Sequence, residues 1–182
     1  MSKQVKWITR TALFIALIIV IQIVTKTLST FVTGSLVNLI LIIAGTISGL
    51  SSGVVVALIS PILAFLFGIA PQVYLVPFIA AGNLVIVIAT NLFINSSLKF
   101  TGAKKYLAQV AGIVVGAVAK FLVLYIGIVK ILLPSLTNLK APQVEKMTAM
   151  FSWPQLVTAL IGGFIALLIL PTLKKALSNN NQ

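Results

Sequence analysis

The sequence predicts an all-α membrane protein with six transmembrane helices in one bundle and both termini in the cytoplasm. Hydrophobic residues make up 60% of the 182 residues and charged residues only 8%, whereas about a quarter of the residues of a soluble domain are charged. Apolar stretches approach the ~20 residues that a helix needs to cross a ~30 Å hydrocarbon core. Lysine and arginine gather in some of the connections and are sparse in others, which predicts the orientation.

Clusters of Gly, Pro, Ser and Lys mark the breaks between the predicted helices. The helices are expected at about residues 9–24, 36–49, 53–68, 77–93, 106–133 and 154–177. A turn of sequence SSG separates the second helix from the third, and GIAPQVYLVP separates the third from the fourth. The run NSSLKFTGAKK precedes the fifth helix, and a long connection, residues 134–153, precedes the sixth. Residues 1–182 are therefore predicted to form a single six-helix transmembrane domain.

The connection after the first helix, residues 25–35, has the sequence TKTLSTFVTGS. It is too rich in Thr and Ser for a membrane core, yet too apolar for a free tether. We expect this segment to be a loop that folds over a binding site as a gate.

Basic residues predict the orientation, because cytoplasmic connections carry an excess of Lys and Arg. With six crossings, one side of the membrane holds Lys3, Lys6, Arg10, Lys99, Lys104, Lys105, Lys174 and Lys175. The other side holds only Lys26, Lys130, Lys140 and Lys146. The formal net charge of +12 is thus spread along the connections of a hydrophobic chain. It indicates topology signals and contacts with the lipid bilayer, and no nucleic acid partner.

Missing residue types exclude several functions. The chain has one acidic residue, Glu145, and neither histidine nor cysteine. A proton-driven pump or a membrane-embedded hydrolase normally needs an intramembrane carboxylate or histidine. No phosphate-binding loop of the form G-x-x-x-x-G-K-[ST] is present. We therefore expect a non-catalytic protein with no cofactor and no metal site, whose role is to bind.

Lys120 is the one basic residue predicted near the middle of a transmembrane helix. No intramembrane carboxylate can pair with it, and a lysine at mid-depth cannot easily extend to an interface. Lys120 is therefore expected to face either a polar cavity, where it would bind an anionic or strongly hydrogen-bonding substrate, or backbone carbonyl groups only.

Other polar residues complete the candidate substrate site. Asn83, in the fourth helix, needs a partner in hydrocarbon and is expected to reach the same cavity. Asn38 begins the second helix, and four more candidates gather at the predicted outer ends of the fourth and sixth helices: Gln72, Tyr74, Trp153 and Gln155. Tyr74 and Trp153 have two interpretations, an interfacial aromatic belt or the wall of a ligand pocket.

Ala12 and Ala16 form a small-residue pair in the first helix, surrounded by large aliphatic residues. Small residues let helix backbones approach closely in a membrane. This notch is expected either to pack inside the bundle or to accept a helix of a partner protein.

The whole chain resembles a substrate-binding S-component of the energy-coupling factor (ECF) transporters, in its length, its six helices, its cytoplasmic termini and its hydrophobicity. The local support is the Ala12-x-x-x-Ala16 pair, the long first outer loop and the run from Pro71-Gln72 through Pro77 to Gly82-Asn83. The resemblance implies a vitamin-binding protein of the bacterial plasma membrane. It also implies two cytoplasmic ATPase subunits and a transmembrane coupling subunit, on which Ala12 and Ala16 would rest.

The substrate is predicted from the charge of the site. A buried Lys120, with Lys26 and Lys130 near the mouth, favours a vitamin with a carboxylate, and pantothenate fits best. Folate and niacin are also acids, while hydroxymethylpyrimidine or pyridoxine would stack on Tyr74 or Trp153. Two other classes stay open: a stand-alone facilitator or channel, and a non-transporting scaffold protein.

Overall fold

The computed structural model describes residues 2–70 and 72–179, which form helices joined mostly by short connections. Pro71 and the end of the polar tail, residues 180–182, lie outside the described residues. The α-helices are α1 (Lys3–Thr25), α2 (Thr30–Ile47), α3 (Leu50–Leu66), α4 (Val76–Ser97), α5 (Gly102–Leu124), α6 (Leu133–Ser135), α7 (Ala141–Met150) and α8 (Trp153–Asn179). A 3-10 turn, Val73–Leu75, precedes α4, and a π-helix, Tyr125–Leu132, continues α5 into α6.

Within the described ranges, five helical segments are long and apolar enough to cross a membrane: Lys3–Thr25, Thr30–Ile47, Val73–Ser97, Gly102–Ser135 and Ala141–Leu177. The helix α3 is also apolar but has only 17 residues, which at 1.5 Å per residue extend about 25 Å. It is shorter than a ~30 Å hydrocarbon core. The all-helical, membrane-spanning class is confirmed, while the count of six crossings stays a prediction.

Polar contacts between helices define the two ends of the bundle. At the N-terminal end of α1, Trp7 Nε1 donates to Ser51 Oγ (3.0 Å), and Thr11 Oγ1 donates to Ser52 Oγ (2.8 Å). These bonds bring the start of α3 beside the start of α1, so α1 and α3 run in the same direction and α2 runs in the opposite direction. We call this end the terminal end, and the opposite end, where α1 meets α2, the cavity end.

The predicted first loop is largely helical, which corrects the expectation of a gate over residues 25–35. Only residues 26–29 separate α1 from α2. The reason is close packing by small residues. A Cβ atom on Gly34 would lie 3.0 Å from the Thr158 side chain, and one on Gly162 would meet the Ser35 carbonyl oxygen. Gly34 and Ser35 of this segment therefore let α2 lie against α8, where the sequence predicted a gating loop.

The connection between the last two long helices is also more ordered than predicted. This connection contains the helix α7, and the π-helix continues α5 up to the start of the connection. Leu75, Leu124, Ile128, Met147 and Phe151 belong to one buried apolar cluster at the cavity end. The segment that bears Glu145 is thus packed over the ends of α4 and α5.

Candidate functional site

A cavity of about 220 Å³ lies inside the bundle at the cavity end. Its walls come from α1 to α5, from α7 and α8, and from the connections between α1 and α2 and between α3 and α4. The polar side chains along it are those of Gln22, Lys26, Thr30, Thr33, Asn38, Ser60, Asn83, Lys120 and Gln155. Apolar walls with a few placed polar groups are typical of a site for a small ligand.

Lys120 is the centre of a buried hydrogen-bond network on this cavity. Its side chain is 3% exposed. Nζ donates to Asn38 Oδ1 at 2.6 Å and to Asn83 Oδ1 at 2.8 Å. The Asn83 amide is oriented in turn by Ser60, whose Oγ accepts from Nδ2 at 3.2 Å. Four helices, α2 to α5, therefore hold the ammonium group between two amide oxygens.

The ammonium group has no carboxylate beside it. Glu145, the sole acidic residue of the chain, is exposed on α7. A lysine ammonium has three N–H donors, and two of them are engaged by the asparagines. A buried charge that meets only neutral oxygens is poorly compensated. The site can therefore accept an anionic or strongly accepting group of a ligand at the third donor.

Two further polar atoms of the cavity walls lack partners. Among residues 2–70 and 72–179, Gln22 Oε1 and Asn38 Nδ2 are buried without a hydrogen-bond partner. Buried polar groups in folded proteins are nearly always hydrogen-bonded. A ligand or water in the cavity is the natural source of the missing partners.

The structure brings four of the predicted site residues together. Asn38, Asn83, Lys120 and Gln155 all line the cavity. Gln155 is held by its Nε2, which donates to the Met150 carbonyl oxygen at 2.9 Å. Lys120 donates to two side-chain amide oxygens and not to backbone carbonyl groups. Of the two interpretations of Lys120, the structure therefore fits the one in which the side chain faces a polar cavity.

The other three predicted residues do not line the cavity. Trp153 is 61% exposed, and its ring lies 5.5 Å from that of Phe31 at the start of α2. Tyr74 packs on the apolar cluster at the cavity end, and its hydroxyl has no hydrogen-bond partner among the described residues. Gln72 is half-buried just before the 3-10 turn. A ligand role for Trp153, Tyr74 and Gln72 stays a prediction.

Ala12 and Ala16 are both exposed on the outer face of α1. The helix turns a different face to the bundle, through Thr11, Ile18 and Gln22. The alanine pair is therefore accessible to a partner, as one of the two interpretations of the sequence requires.

Sequence reasoning missed four polar residues of the cavity, namely Gln22, Thr30, Thr33 and Ser60. A signal for Gln22 was present, because it is the one strongly polar residue in the apolar run between Thr11 and Thr25. A polar side chain at such a depth in a membrane helix requires a partner. Ser60 gave no comparable signal, since serine is common in helix contacts.

An apolar helical bundle around a polar cavity defines a multi-pass membrane protein that can hold a small polar solute. The family model for the substrate-specific component of ECF transporters matches residues 6–174, and the chain belongs to this family. Its members are substrate-binding subunits and not enzymes. No curated protein and no solved structure matches the chain significantly.

Proposed function

We propose that this protein is the high-affinity binding subunit for a water-soluble vitamin or vitamin precursor that carries a carboxylate. A partner module, formed by a transmembrane coupling subunit and two cytoplasmic ATPase subunits, imports the bound solute at the expense of ATP. The membrane is the plasma membrane of a bacterium. With six crossings and cytoplasmic termini, the cavity end faces the outside, where a scarce nutrient is captured.

The buried ammonium of Lys120 carries this proposal. It lies on a cavity, it meets two amide oxygens and no carboxylate, and it retains one N–H donor. A ligand carboxylate would supply the missing counter-charge through a charge-assisted hydrogen bond, which is about twice as strong as a neutral one. A cationic vitamin would meet only repulsion here.

Pantothenate is the proposed substrate. It is a small acid, and its hydroxyl and amide groups match the neutral polar side chains around the cavity, such as Gln22, Thr33 and Gln155. The cavity of about 220 Å³ favours such a molecule over the much larger folate. Stacking of hydroxymethylpyrimidine or pyridoxine has less support, because Tyr74 and Trp153 do not line the cavity.

Pantothenate should bind to the purified protein at least about tenfold more tightly than its neutral alcohol analogue, in which a hydroxyl replaces the carboxylate. The reason is that only the acid neutralises Lys120. Isothermal titration in detergent measures both affinities. Equal affinities would show that the carboxylate is not recognised and would reject Lys120 as its partner, whereas absence of pantothenate binding would reject pantothenate as the substrate.

Uptake of radiolabelled pantothenate by cells that express this protein should fall to background when the two ATPase subunits are omitted. The cavity residues supply binding but no means of using ATP, so the partners must provide the energy. The matched control is a pair of catalytically inactive ATPase subunits, with which uptake should also fall to background. Uptake that continues without the ATPases would instead identify a stand-alone facilitator.

A further inference from the structure

Gln22 is a buried polar residue on the cavity wall, and the charge of Lys120 does not account for its presence there. It is 7% exposed and is the residue of the α1 helix that lines the cavity. Its Oε1 atom has no hydrogen-bond partner within residues 2–70 and 72–179. Leaving a buried polar group unpaired destabilises the fold, so a glutamine at this place needs a partner that enters the cavity.

The unpaired atoms around the cavity differ in kind. At the Lys120 network the free groups are donors, namely the third ammonium N–H and Asn38 Nδ2. At Gln22 the unpaired atom is an acceptor, the amide oxygen. A solute that pairs with both groups must present acceptor oxygens to the Lys120 network and an O–H or N–H donor to Gln22 Oε1.

These two groups belong to different walls of the cavity. Gln22 is on α1, which packs against α2 and α3. Lys120 is on α5, which packs against α4 and α8. One solute that contacts both residues therefore extends across the cavity, with its carboxylate at the α5 wall and its donor group at the α1 wall.

We propose that Gln22 is a specificity-determining residue whose side-chain carbonyl accepts a hydrogen bond from a hydroxyl or amide N–H group of the solute. The inference rests on the proposed function and narrows its substrate class. The solute is a carboxylic acid with a hydrogen-bond donor remote from the carboxylate. Pantothenate, a dihydroxy amide acid, belongs to this class, whereas ionised niacin has no such donor.

The test is the affinity of Gln22→Met for pantothenate and for the two monodeoxy analogues, each of which lacks one hydroxyl. The thioether side chain of methionine has nearly the length of glutamine and cannot accept a strong hydrogen bond. We expect pantothenate to bind Q22M about tenfold more weakly than the wild type. For the analogue that lacks the hydroxyl bound by Gln22, wild type and Q22M should have equal affinities. A second result also fits the proposal. If Q22M binds pantothenate and both analogues more weakly than the wild type does, the donor to Gln22 is the amide N–H of the ligand.

Gln109→Met is the matched control. Gln109 Nε2 donates to Ser97 Oγ (3.2 Å) near the terminal end and does not line the cavity, so Q109M should bind pantothenate like the wild type. Melting of each ligand-free variant in detergent checks the fold, and Gln22→Leu repeats the test with a second apolar side chain. Wild-type affinity in both Q22M and Q22L would overturn this inference and leave the proposed function intact. A wild-type protein that does not bind pantothenate would overturn the proposed substrate and this inference with it.

Discussion

Lys120→Met should weaken pantothenate binding by about a hundredfold or more. Removing one partner of a buried charge pair costs about 3–5 kcal/mol, and each 1.4 kcal/mol is a factor of ten in affinity. The loss is large because Asn38 Oδ1 and Asn83 Oδ1 both point at Nζ. Without the ammonium, a ligand carboxylate would meet two partially negative amide oxygens.

The measurement is isothermal titration of the purified variant with pantothenate. Methionine resembles the aliphatic stem of lysine, so the ligand-free variant should remain folded and give a cooperative melting transition in detergent. Lys99→Met is the matched control, because Lys99 is exposed in the connection between α4 and α5, at the terminal end of the bundle. Unchanged affinity in K120M, with K99M also unchanged, would assign Lys120 to the structure of the bundle and remove the basis for an anionic substrate.

Replacing both Ala12 and Ala16 by leucine should abolish uptake and leave pantothenate binding unchanged. The two alanines are exposed on α1, on a different face from Thr11, Ile18 and Gln22. A helix of the coupling subunit can approach such a notch closely, and leucine side chains would hold it away. Overpacking typically costs about 1–3 kcal/mol per site, so two leucines together should reduce partner association by about thirtyfold or more.

Radiolabelled uptake and isothermal titration, performed on the same double variant, separate the two effects. Leu168→Phe is the control for added bulk, because Leu168 is 79% exposed on α8 and leaves the α1 surface unchanged. Its uptake should match that of the wild type. If the alanine variant transports normally, another surface must engage the partner; if it no longer binds pantothenate, the notch supports the internal packing of α1.

Much of the site could be predicted because polar residues are rare in this chain. A lysine in the middle of an apolar helix, with no carboxylate to pair with, requires a polar environment, and the structure provides one. The same reason predicts Asn83, whereas Asn38 was expected only from its place at the start of the second helix, and their contacts with Lys120 span 37 and 82 residues of sequence. Gln22 meets the same criterion, since it is a strongly polar residue within an apolar helix.

Residues at helix ends were harder to predict. Tyr74, Trp153 and Gln155 are all near the cavity end, yet Gln155 lines the cavity and the two aromatic residues do not. At an interface, an aromatic ring is equally suited to the lipid headgroups and to a pocket wall. The choice depends on the rotation of each helix about its axis, which residue type does not reveal. The Thr-rich segment after α1 is helical where a loop was predicted, because small polar residues occur in helix contacts as well as in loops.

The amino-acid sequence alone determined the class of this protein. Long apolar stretches require a membrane, the scarcity of acidic residues predicts a protein that binds, and a lone mid-helix lysine requires a polar partner. Tertiary structure alone decided which residues meet. In a bilayer, both the lipid and the protein interior are apolar, so hydrophobicity does not mark the face of a helix that turns inward. Only the packing of α1 to α5 brings Gln22, Asn38, Ser60, Asn83 and Lys120 to one cavity.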